Sequence, residues 1–149
     1  MTLYKIDFTV PANTTKDNLF IRKLEISEDF LEKIYVRIPF GHRAKAHMHI
    51  RYGLDLFVPQ PTTVVDAEGN RIKQNIEDLW IEGDNEFFEF PVFYTAPEVP
   101  FEITIEGYNE SQYYDHTFYI YIIALPKKVA LPFLIISEFV DLFKKLIGV

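Results

Sequence analysis

The chain has 149 residues, no Cys and a net charge of -7. That length fits one domain with a core that needs no staples, and the lack of Cys excludes disulfides and thiolate metal sites within it. The acidic balance argues against a general binder of phosphate backbones.

The first ten residues, MTLYKIDFTV, alternate polar and apolar side chains and lack the basic and apolar blocks of a signal peptide. Tyr4, Ile6, Phe8 and Val10 alternate with Lys5, Asp7 and Thr9, which predicts a half-buried strand stopped by Pro11. A second strand is expected over 19–26 and a third over 33–38, where Ile34, Val36 and Ile38 share one face. Pro39-Phe40-Gly41 then turns the chain. Over 45–52, Ala46, Met48, Ile50 and Tyr52 are expected inside, with Lys45, His47, His49 and Arg51 outside. Gly53 marks a bulge or turn before a strand at 54–58.

Residues 59–83 lose the alternation, and Pro59 and Pro61 block ladder bonds. Within them TTVVDAEGNRIKQN reads as an inserted hairpin, with turn chemistry from Asp66 to Asn70. Further strands are expected at 86–90, 101–108 and 116–125. About eight strands with no room for helical crossovers predict an all-β antiparallel sandwich, jelly-roll-like, over residues 1–126. In the last strand Phe118, Ile120 and Ile122 alternate with Tyr119, Tyr121 and Ile123. Such a strand is either central and buried on both sides, or carries a tyrosine-rich outer face that meets a partner.

Residues 127–149 read as a separate docking unit, with an amphipathic helix over 131–149. Pro132 suits a first helical turn. At 100° per residue, Ser137, Glu138, Asp141, Lys144, Lys145 and Gly148 fall in an arc of about 120°. The wider remaining arc holds Phe133, Ile136, Phe139, Val140, Phe143, Leu146 and Ile147, among others. Its length, roughly 25 Å, and its four charges argue against a membrane span. Docking into another subunit is the favoured reading, ahead of packing on the protein's own sandwich or lying on a membrane surface. Tyr119 and Tyr121 are the expected partner-binding residues of the β body.

Signals for chemistry are weak. His47 and His49 at i,i+2 could share a metal, but no acid or thiol within 42–52 completes a set. A solvated basic face is the expected state, open to pairing with opposite charges elsewhere. Glu82-Gly83-Asp84-Asn85-Glu86 matches no EF-hand pattern and reads as a polar turn. Glu102 and Glu106 read as surface residues rather than a glycosidase pair. Trp80, the one Trp, reads as a core anchor before a sugar platform. Neither a phosphate loop nor a serine nucleophile context occurs. The expectation is therefore a non-enzymatic protein without cofactor or metal.

The order of KIYVRIPFG (33–41), HMHIRYGLDLFVP (47–59), LWIEGDNEFFEF (79–90) and PFEITIEGYNESQYYDHTFYIYIIALP (100–126) carries a resemblance. It resembles small β-sandwich proteins of tailed viruses and virus-derived elements over residues 30–126. The shared pieces are a W-x-x-G-D-like turn, a P-[FY]-E-[IL]-T-I-x-[GA]-[WY]-N-E strand and a D-x-x-[YH]-x-H-T strand start. The resemblance implies a capsid-decorating or minor capsid subunit, located in the virion or in the cytoplasm during assembly. It implies capsid or particle subunits as partners and a homo-oligomer, with a trimer matching lattice threefold positions. The alternative is a carbohydrate-binding β-sandwich module using Trp80 and exposed tyrosines.

Overall fold

A computed structural model describes residues 1–52, 55–126 and 138–148. Among these residues ten strands form in chain order: β1 (Thr2–Val10), β2 (Phe20–Ile26), β3 (Phe30–Ile38), β4 (Ala46–Tyr52), β5 (Asp55–Val58), β6 (Thr63–Val65), β7 (Arg71–Lys73), β8 (Glu86–Thr95), β9 (Phe101–Asn109) and β10 (His116–Leu125). Eight of them make two four-stranded sheets, ordered β1-β10-β3-β8 and β2-β9-β4-β5. All pairings are antiparallel.

This order is a jelly roll. Setting β6 and β7 aside, first pairs with last (β1 with β10), second with seventh (β2 with β9), third with sixth (β3 with β8), and fourth with fifth (β4 with β5). The nested pairs wrap so that most successive strands change sheet. The expected all-β sandwich is the observed fold.

Between the sheets lie Ile6, Phe8 and Val10 of β1, Ile34, Val36 and Ile38 of β3, Met48 and Ile50 of β4, Ile103 and Ile105 of β9, and Phe118, Ile120 and Ile122 of β10. These are the inward positions of period-2 strands, and each such side chain contributes roughly 1.5–3 kcal/mol of burial. Gly107 on β9 lets the facing sheet approach closely: a Cβ there would meet Phe8 at 2.9 Å and Val10 at 3.1 Å across the core, and the carbonyl of His47 on neighbouring β4 at 2.8 Å.

The inserted hairpin forms as β6 and β7. Asp66 closes its turn, accepting from the amides of Glu68 at 3.0 Å and Asn70 at 2.8 Å.

Two strand boundaries differ from expectation by several residues. β3 begins at Phe30 rather than Lys33, since Phe30 and Leu31 pair with Thr95 and Tyr94. β8 runs through Pro91 to Thr95 instead of stopping at Phe90. It lies at a sheet edge, where a missing N–H is tolerated. The C-terminal helix α1 spans 138–146 among the described residues; the expected start over 131–137 lies outside them.

The loops after β1, β3, β5 and β9 gather at one end of the sandwich. The chain leaves β10 at the other end, where Leu125 pairs with Phe30.

Candidate functional site

The outer face of β4 is not solvated. His47 is 7% exposed, His49 is buried as well, and Glu106 is 4% exposed. The expected basic face is thus corrected, and so is the placement of Glu106 at the surface. The cause is a segment that sequence periodicity did not reveal. Leu79–Glu82 runs along β4, with the Met48 amide donating to the Ile81 carbonyl at 3.1 Å and the Ile81 amide to the Met48 carbonyl at 2.7 Å. Ile81 is buried with Met48, while Trp80 and Glu82 lie against His49 and His47.

Four rings interlock there. His49 stacks on Trp80 at 4.2 Å, His47 stacks on Tyr108 at 4.3 Å, and Trp80 meets Tyr108 edge-on at 4.8 Å. The acids complete the cluster. Glu106 contacts His49 Nε2 at 3.2 Å and Arg51 Nη2 at 2.5 Å. Glu82 and Glu110 lie against the two nitrogens of His47, in close contact but without hydrogen-bond alignment. The stripe of His47, His49 and Arg51 therefore meets carboxylates within the sandwich. Among the described residues no group of three or more His, Asp or Glu is arranged to hold a metal ion.

Trp80 is neither a core anchor nor a free platform. It is half-buried outside the core, stacked on His49, with the Lys16 ammonium 6.0 Å from its ring centroid. Its indole N–H donates to the Glu77 carbonyl at 3.0 Å. Glu102 is exposed as expected and pairs with Lys23 at 3.5 Å. The 82–86 segment is a polar turn: Asp84 accepts from the Gly41 amide at 2.7 Å, tying it to the β3–β4 loop.

β10 is central in its sheet but not buried on both sides. Tyr119 and Tyr121 are half-buried on the outer face. One row across it reads Lys5, Tyr121, Tyr35, Glu89 and the next Asp7, Tyr119, Arg37, Phe87. Arg37 stands 5.9 Å over Tyr119, and Tyr35 stacks on the exposed Phe87 at 5.6 Å.

In α1 every described residue is exposed, both polar and apolar. Phe139 is 68% and Leu146 77% exposed, and Val140, Phe143 and Ile147 are open as well. Phe133 and Ile136 lie outside the described residues. No helix among the described residues is long and apolar enough to cross a membrane.

No protein-family model matches the chain, and no curated protein matches it.

Proposed function

We propose that this protein is a structural assembly subunit, joined to copies of itself in a particle through α1 and the outer face of β10. The observation that carries this reading is the exposure of Phe139, Leu142, Phe143 and Leu146 on one short helix. A helix of this length is marginal in water without tertiary packing, and contiguous apolar surface of this kind marks interaction sites. The second support is the aromatic outer face around Tyr119, Tyr121, Tyr35 and Phe87. Aromatics are enriched at interfaces because they bury large area at low entropy cost.

The virion setting rests on the sequence resemblance over residues 30–126, and a jelly roll is compatible with it. Fold alone does not assign function. The alternative, a carbohydrate-binding module built on Trp80, has less support, because one face of that indole stacks on His49 and Tyr108 meets it edge-on. Electron microscopy of the purified protein tests the reading. Closed oligomers or larger particles are expected, and uniform monomers at micromolar concentration overturn it.

A further inference from the structure

The end of the sandwich opposite the exit of β10 holds a cleft of about 880 Å³ between the β3–β4 loop and the β9–β10 loop. That volume lies within the range of small-molecule sites, about 300–1,000 Å³. Three features mark it as built for a ligand.

First, its walls are fixed while its rings are left open. Tyr113 is 83% exposed, and Tyr114 and Phe40 are similarly open. Yet the loop that carries the tyrosines is tied down. The buried Asn109 amide donates to the Tyr114 carbonyl at 2.8 Å and to the Val10 carbonyl at 3.1 Å. Asn13 donates to the Ser111 and Gln112 carbonyls at 2.9 and 2.8 Å, and Asp115 accepts from the Ala12 amide at 2.9 Å. The Glu110 amide donates to the Lys45 carbonyl at 2.9 Å, which locks the two walls together. Exposed aromatics on a pre-set loop lose little freedom on binding.

Second, the facing loop is held in a strained form. Gly41 has φ 111°, and the non-glycine residues Arg43 and Ala44 have φ 50° and 56°. Such outliers cluster at ligand sites.

Third, the charges are unequal in availability. Glu110 lies against His47, and Asp115 bonds Ala12. Arg43 and Lys45 are exposed, and no carboxylate among the described residues lies within ion-pair distance of either. At the base, His42 is buried, bonded through Nε2 to the Thr117 carbonyl at 2.9 Å and packed on His116 at 4.6 Å.

We propose that this cleft binds a saccharide bearing a carboxylate. The C–H face of a pyranose suits Tyr113, Tyr114 or Phe40. Its hydroxyls suit Gln112, Ser111 and Thr117, and its carboxylate suits Arg43 with Lys45. A purely apolar ligand would leave these polar groups unpaired. The cleft shares Tyr119 with the outer face of β10 but no residue with α1, and ligand titration and sedimentation read the two separately, so either reading can fail without the other.

The test is a panel of uronate- and sialate-containing oligosaccharides, each with its carboxyl-reduced counterpart, titrated into the full chain by NMR. Saturable shifts confined to residues 40–45 and 110–119 are expected, with the reduced forms about tenfold weaker. Arg43→Gln is expected to lose about tenfold on the carboxylated forms and little on the reduced ones. Tyr113→Ala weakens both, with unfolding unchanged. No saturable binding across the panel, shifts elsewhere, or equal affinity for the reduced forms would overturn the proposal.

Discussion

The Glu106 carboxylate lies 3.2 Å from His49 Nε2 on the buried outer face of β4 and β9, where the two residues are direct cross-strand partners. Arg51 approaches the same carboxylate from the next position at 2.5 Å. Two cationic-capable groups thus depend on one acid. Glu106→Ala is expected to cost about 2–3 kcal/mol in denaturant unfolding. That is below the range of roughly 3–5 kcal/mol for a fully buried pair, because the Arg51 side chain is 37% exposed. Glu106→Ala combined with Arg51→Met is expected to cost less than the sum of the single changes. Additive losses would show that the contacts contribute nothing.

This cluster also marks where the sequence was legible and where it was not. The inward faces of β1, β4 and β10 follow from strict alternation, and Phe8, Met48 and Ile120 are buried as expected. The outward residues of β4 could not be placed by the same rule. Period two gives the side of the sheet, not whether that side is covered. The cover comes from Leu79–Glu82, more than thirty positions away in a stretch without periodicity. The available hint was complementarity: a basic stripe on 45–51 in a chain of net charge -7. The end cleft was equally hidden, because it lies between the β3–β4 and β9–β10 loops, which meet only in the folded topology.

Gly107 sits where β9 meets β1 and β4. Gly107→Ala places a methyl 2.8 Å from the His47 carbonyl and 2.9 Å from Phe8. Backbone cannot yield cheaply, so a loss of about 1–3 kcal/mol is expected in thermal or denaturant unfolding. An unchanged midpoint would mean that the sheets are not so closely spaced.

Acid should weaken the fold in two separable steps. Burial holds His42 and His116 below the usual histidine value of 6.5, and in His42 the neighbouring His116 adds to this. The unfolded chain then binds more protons than the native one, so stability is full above pH 6.5 and falls as pH drops through the lower native values. At Glu28, burial favours the neutral acid, but bonds from Thr2 and Tyr4, both at 2.5 Å, outweigh it and hold the carboxyl below 4.5. That contribution is present above pH 4.5 and lost only as pH falls further. Urea midpoints from pH 8 to 5 should decline in the native protein, and His42→Gln should decline less steeply. Equal slopes would contradict the first step.

Ala44 holds φ 56° on an exposed loop. A left-handed non-glycine residue costs about 1–2 kcal/mol, partly offset in glycine by unfolded-state entropy. Ala44→Gly is expected to raise stability by up to about 1 kcal/mol in the same unfolding assay. A loss instead would show that the loop is unstrained.

α1 is proposed to join one copy to another. Sedimentation velocity of the full chain against Phe139→Asp with Phe143→Asp tests it most directly. The native protein is expected to sediment as a closed oligomer, and the double variant as a folded monomer with an unchanged unfolding midpoint, since both side chains are exposed in the single chain. A monomeric native protein, or an oligomer that survives both aspartates, would contradict it.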